Sequence, residues 1–190
     1  MYVKVCGITS PADAIKAAAA GADAIGILLF TPSLRSVTPR RAETILKAVS
    51  GKVETVCVTT TRCPAHLHEI CRLQPDALQV YHDLRIPDRF ITISSWDGKA
   101  SPPEGADRLI LDASHGRGIQ LDIGSAKAAI ARTSLPVLVS GGLTPVTVGE
   151  VMRTLHPAGV DVATGVERQP GVKDHQLVEA FISACRGVSL

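Results

Sequence analysis

Aromatic side chains are almost missing from this chain: one Trp, two Tyr and three Phe among 190 residues. So few rings leave no base-stacking platform of the kind that binds single-stranded nucleic acid. Charge is equally uninformative about a polyanionic partner. Twenty Lys and Arg face 18 Asp and Glu for a net charge of +2, and they are scattered; Arg40-Arg41 beside Arg35 is the nearest approach to a basic cluster. Nucleic acid is therefore not an expected partner. Long apolar runs are absent too. The longest, "AIGILLF" at 24–30, suits a buried strand and falls far short of a membrane span. The first residues enter a strand pattern at once, without the profile of a signal peptide. Five cysteines (6, 57, 63, 71 and 185) are an odd number without framework spacing, which predicts reduced thiols and a cytoplasmic protein.

What is present is a regular alternation. Apolar runs rich in Val, Ile and Leu occur at 2–6, 23–28, 53–59, 77–81, 89–93, 108–112, 137–140 and 160–163. Between many of them lie helical patterns such as "PADAIKAAAA", "PRRAETILKAV" and "HQLVEAFISACRG". Near-continuous apolar strands separated by helices predict parallel strands covered by helices. Eight of them predict an α/β fold of the (β/α)8 TIM-barrel kind, closed as one domain over residues 1–190. Four runs open on a small residue or Pro followed by Asp: "ADAIGI" at 22, "PDALQV" at 75, "ADRLIL" at 106 and "VDVATG" at 160. This is either a faint two-half repeat or a convenient helix-to-strand turn. Both readings put the four aspartates at strand starts, on the stability face. The segment 82–105 has little helical period and several prolines, so the helices flanking strand five are expected to be shortened or replaced by loops.

In such a barrel, reactive groups sit at the carboxyl ends of the strands. Strand one ends at Cys6. Strand two runs into "TPSLRSV" with Arg35, strand four into His82, and strand six into Asp112. Strands seven and eight run into Gly141-Gly142, ahead of a helix expected near Pro145, and Thr164-Gly165. Glycine turns at these two strand ends predict backbone N–H groups offered to a phosphate. Asp112 is either a rim acid or a loop cap. Cys6 is either a small core residue or, facing Lys4 or other cations, a thiolate base. Arg35 suits a planar carboxylate but equally a solvated loop. His82 is a rim donor or a strand cap. The cluster Cys63, His66, His68 and Cys71 matches no familiar zinc spacing, and no metal is expected.

"KVCGIT", "GADAIG", "SLRSV", "LILD", "SGGLTP" and "ATGVERQPGVKD" resemble the phosphoribosylanthranilate isomerase family of tryptophan biosynthesis, over residues 4 to about 181. The resemblance implies an Amadori rearrangement of a phosphoribosyl substrate with no cofactor; the sequence leaves monomer and homodimer both open. It implies Cys6 as general base, Asp112 as general acid and Arg35 as holder of the anthranilate carboxylate. Gly141, Gly142, Thr164 and Gly165 match the phosphate loops. His82 is matched approximately, because "LQVYHD" stands where the family has V-Q-L-H-G-D. "HGRG" replaces a Gly-rich turn after the acid, putting His115 and Arg117 near the mouth. Another sugar-phosphate isomerase or aldolase on this scaffold, or a non-catalytic phosphate-ligand binder, is the alternative.

Overall fold

A computed structural model describes residues 1–112 and 121–188. Eight parallel strands close into a barrel in sequence order: β1 Tyr2–Cys6, β2 Ala24–Leu28, β3 Glu54–Thr59, β4 Ala77–Val80, β5 Ile91–Trp96, β6 Arg108–Leu111, β7 Val137–Val139 and β8 Gly159–Val162. The seam is the pairing of β1 with β8, which sets Lys4 opposite Asp161. Helices α1 Pro11–Ala19, α2 Pro39–Ala48, α3 Pro64–Arg72, α4 Ile123–Ile130, α5 Val148–Leu155 and α6 His175–Arg186 cover the outside. A short hairpin of β9 Glu167–Gln169 and β10 Val172–Lys173, unforeseen in the sequence, follows β8. Local chemistry sets the helix starts. Pro occupies the first turn of α1, α2 and α3, where its missing N–H costs nothing. Ser10, Thr38, Asp122 and Asp174 accept N-terminal N–H groups of α1, α2, α4 and α6.

Side chains alternate between the two faces of each strand. Val3 and Val5 of β1 join the layer under the helices, whereas Cys6 packs inside the barrel with Val56, Ala77, Ile93, Ile110 and Leu138. The interior is apolar at mid-height and polar at both ends. At the amino end, Glu54 accepts from Tyr2 Oη at 2.7 Å and from Arg108 Nη1 at 2.8 Å. Towards the carboxyl end stand Lys4, Asp161, Cys6 and Asp112.

Three of the four strand-start aspartates do the work expected of the stability face. The carboxylates of Asp23, Asp76 and Asp107 accept from the backbone N–H of Val3, Thr55 and Thr92 on the preceding strand at 2.7–2.8 Å. Asp161 corrects the expectation. In β8 the equivalent backbone bond, to Val137 O, comes from Ala158, and Asp161 lies three residues further on, inside the barrel. The sequence similarity was a register slip: "VDV" sits within a strand, whereas "ADA" begins one.

Strand five runs from Ile91 to Trp96, later than the 89–93 expected, because Ser94 and Ser95 continue the ladder with β6 despite their polarity. No helix lies between β4 and β5 or between β5 and β6. A loop takes the second helix's place. Gly98, at φ +78°, brings it so close that a Cβ there would stand 3.0 Å from both Leu111 and Ala129. Arg132, just after α4, donates to the carbonyls of Gly98, Lys99 and Ala100 and lies over the Trp96 ring. Beside the polar outer face of β5, Thr92 and Ser94 line a cavity of about 590 Å³. No helix among the described residues is long and apolar enough to cross a membrane.

Asp76 provides a test of the strand-start contacts. Its carboxylate also accepts from Thr55 Oγ1 at 2.6 Å. Asp76→Ala strands both donors and is expected to cost about 1–3 kcal/mol of stability by denaturant unfolding. Turnover at saturating substrate should be preserved, because the change lies at the barrel's amino end.

Candidate active site

A cavity of about 350 Å³ opens at the carboxyl end of the barrel. One wall is apolar, built from Leu28, Pro32, Leu34, Val58 and Pro170. The other wall and floor are polar: Cys6, Arg35, Gln79, Tyr81, Asp112 and Asp161. The thiol at the end of β1 and the carboxylate at the end of β6 thus face a common space, although 106 positions separate them in the chain.

Cys6 is buried, and its Sγ meets Lys4 Nζ over Gly26, where a Cβ would come within 2.7 Å of the sulfur and 3.2 Å of the nitrogen. The two side chains share a face of β1, one pleat apart. Lys4 is fully buried and bonds Asp161 Oδ1 at 2.7 Å, while Ser140 Oγ donates to the other carboxylate oxygen at 3.3 Å. Burial works against the Lys4 charge, but Asp161 and Cys6 more than offset it and raise its pKa above the ordinary lysine value. Burial pushes the Cys6 thiol up, with Lys4 the largest influence in the opposite direction.

Arg35 reaches across the mouth to Glu167. Nε lies 2.9 Å from Oε1 and Nη2 2.6 Å from Oε2, a two-pronged pair, and Nη2 also approaches Thr164 Oγ1 at 3.4 Å. Gly7 makes this path possible: a Cβ there would stand 2.6 Å from Arg35 Cδ. Lys173, buried in the hairpin, donates to Glu167 at 2.9 Å and to the Ala163 carbonyl at 3.1 Å. Burial alone would raise Glu167, yet bonds from Arg35 and Lys173 hold its carboxyl below the usual range. Lys173 is pulled below the ordinary lysine value by burial, against the attraction of Glu167.

The glycine turns stand beside the cavity. Gly141 and Gly142 adopt φ of 111° and 62°, and among the described residues no group accepts from their N–H. Gly165 lies against the next loop so closely that any Cβ would collide with the Leu143 carbonyl. Their neighbours Ser140 and Ala163 line the cavity itself. Helix α5 starts at Val148 rather than near Pro145, because Thr144 and Thr147 bond each other's hydroxyl and N–H in an intervening turn.

One sequence expectation is corrected. His82 lies outside the cavity that holds Cys6 and Asp112, with its Nδ1 3.0 Å from Arg62 Nη2. Strand alternation explains the difference: Ala77, Gln79 and Tyr81 point inward, so the residue of "VYHD" that reaches the site is Tyr81. Its phenol is pushed above the ordinary tyrosine range by burial first and then by the Asp112 charge. Gln79, whose Oε1 is buried without a partner among the described residues, was also missed. Period-two alternation counted from Ala77 was the available signal for both. His115 and Arg117 lie outside the described residues. Around the Cys/His cluster, His66 stacks on Phe30 at 4.0 Å and bonds Thr61, and no metal-binding group of three donors occurs among the described residues.

Comparison with known proteins identifies a family. A family profile described as N-(5′-phosphoribosyl)anthranilate (PRA) isomerase matches residues 3–184. The N-(5′-phosphoribosyl)anthranilate isomerase of Methanoregula boonei is 40% identical over 190 residues, covering 98% of this chain and 97% of the relative. The phosphoribosyl anthranilate isomerase of Thermus thermophilus superposes with a TM-score of 0.86 at 29% identity, covering 98% of each chain. A further solved structure of a phosphoribosyl anthranilate isomerase, in complex with reduced 1-(o-carboxyphenylamino)-1-deoxyribulose 5-phosphate, gives a TM-score of 0.82 at 26% identity, covering 99% of this chain and 100% of that one. Matched along nearly its whole length in sequence and in fold, this chain belongs to the N-(5′-phosphoribosyl)anthranilate isomerase family.

Proposed function

We propose that Cys6 and Asp112 are the base and acid with which this isomerase converts N-(5-phosphoribosyl)anthranilate into 1-(2-carboxyphenylamino)-1-deoxyribulose 5-phosphate. The observation that carries the assignment is the shared cavity, which a thiol and a carboxyl group enter from separate strands beside two glycine turns. Asp112 gives a proton to the furanose ring oxygen as the C1′–O bond breaks, and the anilinic nitrogen becomes an iminium. That positive nitrogen acidifies C2′, and Cys6 takes its proton. The resulting enolamine gains a proton at C1′ and loses one from its C2′ hydroxyl to become the ketone. No redox partner is required, since oxidation at C2′ balances reduction at C1′.

The remaining surfaces suit the two ends of the substrate. The apolar wall accepts the benzene ring. Arg35, with Nε and Nη2 turned to Glu167, presents its Nη1 edge to the anthranilate carboxylate. The turns at Gly141, Gly142, Thr164 and Gly165 take the phosphate by backbone N–H donation.

Two outcomes test these roles. Cys6→Ala or Asp112→Asn should lower kcat by about 10²–10⁴-fold, followed as loss of substrate fluorescence, with KM little changed; near-native turnover in either variant removes its role. Glu167→Gln leaves buried Lys173 and half-buried Arg35 around a neutral amide and should cost about 3 kcal/mol of stability at pH 7. The depressed carboxyl stabilises the fold above its unfolded pKa of about 4.3, and that gain fades as pH falls through the lower folded value. The difference between wild type and Glu167→Gln in urea unfolding should therefore shrink with acidification below about pH 4. Arg35, released from its partner, should also raise KM more than it lowers kcat.

A further inference from the structure

Beneath the thiol lies a buried ion pair that the proposed chemistry has not used. Lys4 and Asp161 face each other across the strand pair that closes the barrel, and Ser140 braces the far oxygen of Asp161. Such a pair is a poor source of stability, because removing both charges from water costs about as much as their attraction returns. Simple filling of the barrel would be served as well by two aliphatic residues. What the pair achieves is placement: Nζ is fixed below Sγ, over the one residue of β2 that has no side chain to intervene.

We infer that Lys4, anchored by Asp161, is a positioning residue that favours ionisation of Cys6 against the cost of its burial and keeps the sulfur aimed into the cavity. The inference rests on the reading that Cys6 is the base. An isolated lysine at this depth would surrender its proton, because burial disfavours the charged form. Asp161 keeps Lys4 charged, and the charge then favours the deprotonated sulfur. The other charged and titratable groups facing Cys6 come from five elements: Arg35 after β2, Tyr81 after β4, Asp112 after β6, Asp161 in β8 and Lys173 in β10. Lys173 and Arg35 favour thiolate from the mouth, but both are already bound to Glu167. Burial and the Asp161 charge oppose it. Lys4 is thus the cation with the largest influence on the sulfur, and it approaches from its own strand, over Gly26.

The test reads the sulfur rather than the reaction. Alkylation of Cys6 by iodoacetamide is measured against pH on its own peptide by mass spectrometry, since exposed Cys63 also reacts. Lys4→Met should move the midpoint for Cys6 upward by about one to three pH units, and the acid limb of kcat/KM should move with it. Lys4→Met leaves Asp161 buried and unpaired, so the double variant Lys4→Met/Asp161→Asn, which removes both charges, is measured beside it and should show the same rise. A midpoint unchanged in either folded variant overturns the inference, as does a fall in kcat with an unmoved acid limb, the result of a purely structural role. Failure of the isomerase reading would look different: wild-type protein inert towards phosphoribosylanthranilate, with the alkylation midpoint still responding to Lys4.

Discussion

The closure of β1 on β8 is the constraint on which the remainder depends. Register at that seam sets Lys4 against Asp161, and period-two alternation then carries Cys6 to the mouth directly above them. A slip of one residue would turn the lysine and the thiol outward together, under the helices. The same strand runs on into Gly7, whose bare backbone lets the side chain from the β2 loop cross to the hairpin after β8. Position along one strand therefore determines both where the Cys6 sulfur stands and the route by which Arg35 crosses the mouth.

Charge at the mouth is arranged as two separate units. Lys4 and Asp161 form the lower one, Arg35, Glu167 and Lys173 the upper one. Each sets a carboxylate directly against its cations, so no buried charge stands without a partner of opposite sign. The upper unit links the loop after β2 to the loop after β8, elements that strand pairing alone would leave independent. Thr164 belongs to the turn proposed for the phosphate and also touches Arg35, so that turn and the arginine are held together.

Much of this was legible in the sequence because it rests on local patterns. Apolar runs marked all eight strands, and their carboxyl ends marked Cys6, Arg35 and Asp112 without reference to contacts. The poor periodicity of 82–105 marked the missing helices. What could not be read was partnership. Glu167 lies 132 residues from Arg35, and nothing in "TGVE" announces which cation it will meet. His82 and Asp161 show a second limit, since a difference of one to three residues decides whether a polar side chain faces the cavity, the exterior or a strand end. The shift of β5 towards Trp96 shows a third: ladder pairing with a neighbour overrode the loop preference of two serines.

Arg132 and Gly98 give the thinned side of the barrel its own logic. The loop they hold buttresses Leu111, the residue immediately before Asp112, against α4. A barrel can dispense with a covering helix where a few backbone carbonyls, gripped by a single guanidinium, close a loop over the strand that ends at Asp112. The economy of chain falls next to the chemistry rather than away from it. The loop behind Leu111 thereby hangs on one long side chain reaching in from the protein's rim.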